Sequence, residues 1–333
     1  MIGTEPMGKQ AFDKKIEALE TLRSAPASAA TADQLRKALR DRNNYLASKA
    51  AAIIALGLSE LIPELIAAFE RFLIDPAKTD PQCWGKNAIA KALKDLGHRH
   101  PAIYLRGLVH FQPEAVWGGS SDSAATLRGT CALALVDCPM DDLAILTHLT
   151  DRLADPAKPV RIDTAVAIAQ LGRPEGALLL RLKALVGDRE PEVTGQCFVS
   201  LLNLDPRESI GFVGGFLKVS DEEVRSEAAG ALAQARQPEA IEILKQFWEG
   251  PLSPELRRAL LLSLGASPLA EAADFLVSVL ENASSEMAAC ALAALAPSRF
   301  RTGMRERIAA AVESRGDPNL SRVFEREFQK PMA

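Results

Sequence analysis

The stretch Asp221-Glu-Glu-Val-Arg-Ser-Glu-Ala-Ala-Gly-Ala-Leu-Ala-Gln-Ala-Arg236, continuing as Gln237-Pro-Glu-Ala-Ile-Glu-Ile-Leu244, decides the fold. Val224 and Leu232 stand eight residues apart, two helical turns along nearly one face, with the small Ala229 and Ala231 between them. Small side chains on that face let a neighbouring helix approach closely. Pro238 then suits the first turn of a second helix, in which Ala240, Ile241, Ile243, Leu244 and Phe247 recur at helical spacing.

The unit repeats. Val160 leads to Ile168, Val193 to Leu201, Leu256 to Leu264 and Met287 to Leu295, and successive starts from Val160 through Val224 to Met287 are 33, 31, 32 and 31 residues apart. Ala165, Ala167, Ser263 and Ala294 take the small-residue positions. Towards the N-terminus, Leu127 leads to Leu135, Gly85 to Leu93 and Tyr45 to Ile53, at the longer intervals of 33, 42 and 40 residues. Second helices are expected over 174–186, 238–248 and 268–280. No sustained alternation and no Asn-Gly or Asp-Gly turn predicts a strand. The spacing therefore predicts an all-α solenoid, with about eight to nine antiparallel helix pairs stacked in one dimension over residues 9–316. We read 1–333 as a single solenoid: longer N-terminal repeats over 9–123 with an inserted loop near 111–123, regular repeats over 124–316, and a cap and tail over 317–333.

Composition agrees with helices. Of the 333 residues, 48% are hydrophobic and only 5% aromatic, so the interior is built mostly from Ala and Leu. A net charge of -4 is far from the basic balance of a dedicated nucleic-acid binder, and residues 81–160 carry eight Lys plus Arg against eight Asp plus Glu. No apolar run approaches the roughly 20 residues needed to span a bilayer. Met1–Pro6 lacks a basic segment followed by an apolar run. The expected location is cytoplasmic, without membrane insertion. The five cysteines, Cys83, Cys131, Cys138, Cys197 and Cys290, are scattered and form no CxxC pair, as expected of small buried side chains.

The 221–244 segment resembles a HEAT repeat of the short bacterial type, similar to the HEAT-like repeats of phycobilisome lyases, and the matching Val-Arg or Leu-Arg step recurs at Leu127-Arg128, Val160-Arg161 and Leu256-Arg257. The resemblance implies a right-handed superhelix and an interaction scaffold or adaptor. Related arrays also include chromophore lyase subunits and DNA glycosylases, and no motif of either matches residue by residue.

The most unusual segment is 83–148, which holds all four histidines, Trp84, Trp117 and Tyr104. Within it, Phe111-Gln-Pro-Glu-Ala-Val-Trp117-Gly-Gly-Ser-Ser-Asp122 interrupts a helix pair. Loops on a rigid scaffold are favoured binding elements, although Trp117 could equally plug the gap between longer helices. Arg106, His110, Trp117, Trp84 and Tyr104 are the candidate partner-binding residues, because an aromatic anchor beside Arg is what interface hot spots use. His98-Arg99-His100 with His110 lacks a specific ligand spacing, and Gly118-Gly119 lacks the lysine of a phosphate loop, so no metal, cofactor or catalytic residue is assigned. Arg299, Arg301, Arg305 and Arg307 form a basic cluster diluted by Glu306. Arg128, Arg161, Arg225 and Arg257, at one place in each repeat, are expected to bond neighbouring layers. The expected function is a non-catalytic scaffold that binds a protein or peptide, with a lyase subunit or another enzyme, or a HEAT-like nucleic-acid binder, as the alternative.

Overall fold

The computed structural model describes residues 7–26 and 28–328, with side chains from residue 12 onward; Met1–Pro6 and the tail beyond 328 lie outside the described residues. The chain divides into two compact units, Met1–Ala167 and Ile168–Ala333. Among the described residues no helix is long and apolar enough to cross a membrane.

The first unit runs α1 (Met7–Leu22), α2 (Ala29–Leu39), α3 (Asn44–Ile54), α4 (Ile62–Phe72), the single turn α5 (Pro76–Thr79), α6 (Trp84–Asp95) and α7 (Pro101–Leu108). A β-hairpin follows, β1 (Pro113–Val116) and β2 (Gly119–Asp122), then α8 (Ala125–Leu135), α9 (Asp142–Leu153) and α10 (Lys158–Leu171), within which the division falls. One row of helices stacks α1 on α3, α3 on α6 and α6 on α8, while α2 packs on α4 and each short connection brings a helix back against its predecessor, as α7 against α8.

The second unit repeats this more regularly: α11 (Pro174–Val186), α12 (Pro191–Leu204), α13 (Pro206–Gly215), α14 (Glu222–Gln234), α15 (Pro238–Trp248), α16 (Pro254–Gly265), α17 (Ala270–Asn282), α18 (Ser285–Leu295), α19 (Arg301–Arg315) and α20 (Pro318–Phe328). Here α12, α14, α16, α18 and α20 stack in one row and α13, α15, α17 and α19 in the other. Each unit is thus an α-solenoid segment of helix pairs.

The repeating apolar pairs form the seam. Val160 and Ile168, Val193 and Leu201, Leu256 and Leu264, and Leu127 and Leu135 are all buried. Val224 and Tyr45 are only half-buried. Local chemistry starts and stops the helices. Proline occupies the first turn of α11, α12, α13, α15 and α16. Asp141 accepts the amide of Ala144, Asp221 those of Glu223 and Val224, and Ser253 that of Leu256, which satisfies donors that a helix start leaves open.

One expectation is corrected: 111–123 is not an irregular loop but a two-stranded antiparallel hairpin in register from Pro113↔Asp122 to Val116↔Gly119. Its turn is Trp117-Gly118, and Gly118 takes φ +88°, the left-handed value that the second turn position demands in a type II turn. Four-residue strands containing Pro113 and four small residues present no alternation to read.

A neighbouring helix brings its backbone very close at Gly265, where a Cβ would lie 2.4 Å from the backbone oxygen of Ala294 on α18. Gly303, in contrast, has open space around it. Gly265→Ala should therefore destabilise the protein by about 1–3 kcal/mol, because overpacking against a fixed backbone outweighs the helix-propensity gain of up to about 1 kcal/mol, while Gly303→Ala should keep that gain. Urea unfolding midpoints of the two variants, moving in opposite directions, check this.

Candidate functional site

The hairpin is held by polar side chains from three successive layers of the first unit. Its assembly begins at Asp80, fully buried between α5 and α6. The Asp80 carboxylate accepts the backbone amides of Gly85 and Lys86 at 2.7 and 2.9 Å, doing for α6 what an N-cap side chain does. It also accepts Nδ2 of Asn44 from α3 and pairs with Lys86 Nζ at 2.9 Å, and Lys86 is itself fully buried. A buried ion pair persists only where further hydrogen bonds satisfy both partners, as they do here. To make this turn the chain places Gln82 and Cys83 consecutively in left-handed conformation, φ +59° and +57°, which stores about 1–2 kcal/mol per residue.

The hairpin grips that strained turn. Glu114 on β1 accepts the Gln82 backbone amide at 2.7 Å, the side-chain amide of Gln112 at 2.7 Å and the Ser123 hydroxyl at 2.6 Å. Gln112, buried at the hairpin's base, donates at 2.8 Å to the carbonyl of Asp80. Burial pushes the Glu114 carboxyl upward, but these three donors outweigh it and hold the group below its ordinary value.

The other side of the base is closed by Arg128 on α8, fully buried. Its Nε and Nη2 donate to the two carboxylate oxygens of Asp155 at 2.8 and 2.9 Å, the paired geometry a guanidinium favours. Its Nη1 donates to the His110 carbonyl at 2.9 Å and lies 2.6 Å from Asp122 on β2. The Phe111 ring lies 3.9 Å below the guanidinium carbon, a cation–π contact. Asp122 also accepts the amides of Gln112 and Ala124, both at 3.0 Å. Burial raises the Asp122 carboxyl, and these donors together with Arg128 bring it below its usual range. Arg152 and Arg161 extend the cluster, Arg161 donating to the Asp155 carbonyl at 2.8 Å.

Above this base the strands project apolar surface. Trp117 at the tip is fully exposed (104%), and Val109, Phe111 and Val116 are also exposed. Trp84, the first residue of α6, is 45% exposed and meets the Tyr45 ring edge-on at 5.6 Å; Tyr45 in turn lies 6.2 Å from Phe12. The candidate residues therefore have distinct positions. Trp117 and Trp84 face solvent. Arg106, on α7, is exposed and ion-paired with Glu70 of α4. His110 is half-buried with Nε2 3.2 Å from Gln112 Oε1, and burial holds its ring below the usual histidine value. Tyr104 is wholly buried, its hydroxyl donating to the His98 carbonyl at 2.8 Å, so it belongs to the core and is not presented to a partner.

His98 and His100 stack with ring centres 6.4 Å apart. They precede α7 whereas His110 follows it, and no group of three candidate metal ligands occurs among the described residues. Cys83, Cys131 and Cys138 are buried, and burial pushes the Cys83 thiol up to about 12. In the basic cluster, Arg301 donates to the Glu327 carbonyl at 2.6 Å and Arg307 pairs with Asp274, so both join α19 to neighbouring helices, while Arg299 and Arg305 are exposed. Sequence reasoning missed Asp80, Lys86, Gln112, Glu114, Asp122 and Asp155, which are surface residues by type; only Arg128, through its place in the repeat, signalled the base.

Comparison with known proteins gives the following. The family of HEAT repeats matches residues 178–265. No curated protein matches. Among solved structures, the chain is similar to the complex of CpcE and CpcF of phycocyanin lyase from Nostoc sp. PCC7120, with 17% identity, 82% of this chain and 89% of that chain covered, and a TM-score of 0.35. It is also similar to human deoxyhypusine hydroxylase in complex with glycerol, with 18% identity, 78% and 90% covered, and a TM-score of 0.29.

The carboxylates predict a pH response. Glu114 and Asp122 are held below their ordinary values, so their contribution to stability is complete above the unfolded values of about 4 and is lost as pH falls through the lower folded ones. Urea midpoints measured from pH 7 to pH 3 should fall on acidification, and Glu114→Gln should flatten that slope. Arg128→Met, which leaves the buried Asp155 with only Arg152, at 3.4 Å, as a cationic partner, should cost about 3 kcal/mol in the same assay. The segment 178–265 of this chain matches the family of HEAT repeats.

Proposed function

We propose that the protein is a non-catalytic scaffold or adaptor whose first unit presents the 113–122 hairpin to a protein or peptide partner, with Trp117 as the anchor. The observation that carries this reading is a fully exposed Trp at the tip of a hairpin whose base is fixed by buried charges. A large aromatic left in water loses hydrophobic stabilisation that a partner pocket would return, on the order of 2 kcal/mol or more. The rigid base lowers the ordering cost of binding, which is how a preorganised element raises affinity. Val116 and Phe111 would widen the apolar contact, and Arg106 would supply a charged rim. The balanced charge of residues 81–160 supports a protein partner over nucleic acid.

Placing a photo-crosslinking phenylalanine analogue at position 117 tests the reading in the native cell. We expect one discrete protein adduct from position 117 and none from position 303. Trp117→Ala should leave the melting temperature unchanged, because the side chain contacts nothing that folding needs, yet reduce capture of that partner at least about tenfold, the scale of a hot-spot aromatic. No adduct from position 117, or undiminished capture by Trp117→Ala, would overturn it.

A further inference from the structure

In the second unit, the arginine ladder is incomplete at Arg225. Within the first unit the connection between α9 and α10 takes two arginines: the side chain of Asp155 receives Arg128 from the layer before, and its carbonyl receives Arg161 from the layer after. The connection between α15 and α16 is built alike on one side only. Arg257, from the layer after, donates to the Gly250 carbonyl at 3.1 Å and lies 4.5 Å from the Trp248 ring. Arg225, from the layer before, meets no carboxylate from the connection, which reads Gly250-Pro251-Leu252-Ser253, and its ion-pair partner Glu222 lies on its own helix.

The consequence is visible at Arg225. Its Nε–H is buried and has no hydrogen-bond partner. The Glu222 carboxylate stands 3.8 Å from its Nη2, beyond hydrogen-bond reach, and also accepts the Ser253 hydroxyl. The Phe247 ring is 5.9 Å away, against 3.9 Å for Phe111 under Arg128. A buried guanidinium N–H without an acceptor is costly, and native structures rarely keep one without a reason.

Arg225 opens onto a groove of ≈ 540 Å³ between α13, α14 and α15. Gly211 and Gly214 leave one wall without side chains, Phe247 and Leu252 make an apolar wall, and Lys218 adds a second cation. No acidic residue lines it. The groove is far larger than a lone carboxylate needs, and its exposed glycine backbone together with the apolar wall suits an extended peptide.

We propose that this groove binds an acidic peptide segment, one of whose carboxylates takes the place on Arg225 that Asp155 takes on Arg128, with Lys218 facing a second acid. The site is independent of the hairpin. The probe is a fluorescein-labelled peptide of alternating glutamate and leucine, titrated into the full chain by anisotropy, beside its glutamine–leucine analogue. The acidic peptide should bind at least about tenfold more tightly than the analogue, and Arg225→Gln should abolish that preference, as expected when a charge-assisted pair is lost. Leu252→Asp supplies the missing acid from within the chain: it should raise the melting temperature and weaken the peptide at least about tenfold. Equal binding of both peptides, unchanged binding by Arg225→Gln, or unchanged binding by Leu252→Asp would each overturn the proposal. Displacement of the peptide by succinate at matched carboxylate concentration would also overturn it, by identifying a small free acid as the ligand.

Discussion

The buried guanidinium of Arg128, with Asp155 on one edge and Asp122 and the His110 carbonyl on the other, is the contact through which the hairpin, α8 and the α9–α10 connection are fixed together. Each of these groups would be costly alone in a buried setting. Together they leave the guanidinium, both carboxylates and the carbonyl paired, so the geometry is strongly specified even though its net stabilising worth is small. A two-stranded hairpin is marginal by itself in water. Docked through Glu114, Gln112 and Asp122, its base becomes part of the helical layers, while the strands from Ala115 to Ser121 stand exposed above it.

The same arginine position serves a different end in the second unit. Where Arg128 is saturated, Arg225 keeps a buried donor free beside a groove, because the connection that should return an acid offers Gly250, Pro251 and Leu252. Repetition makes the contrast informative. Arg128 and Arg225 occupy the same position of the repeat, so the two layers can be compared side chain by side chain. The seam is set apart from this position: Ala231 is buried, and Gly265, lacking a side chain, admits the backbone of Ala294.

Much of the fold was legible in the sequence, since Val160 and Ile168 or Leu256 and Leu264 recur two turns apart and are buried as pairs. Helix starts were legible too, through Asp141 and the prolines at 174 and 238. The hairpin was not: its strands are too short to alternate, and a type II turn at Trp117-Gly118 carries a weaker signature than Asn-Gly. Of the candidate site, the exposed Trp117 and Trp84 were read as interaction residues and do face solvent, whereas Tyr104 has the composition of a surface anchor and the burial of a core residue. The base of the site escaped because Asp80, Lys86 and Gln112 are charged or polar residues whose burial depends on partners distant in the chain, which no local pattern records.

Hydrogen–deuterium exchange of residues 113–122 in the free protein at neutral pH addresses the rigid mounting of Trp117 most directly. The account predicts slowed exchange at the paired strand amides in the wild type and near-complete loss of that protection in Arg128→Lys, which keeps the charge but not the paired geometry. Exchange at the unprotected rate in the wild type would contradict it, because a hairpin that opens freely cannot present a preorganised anchor.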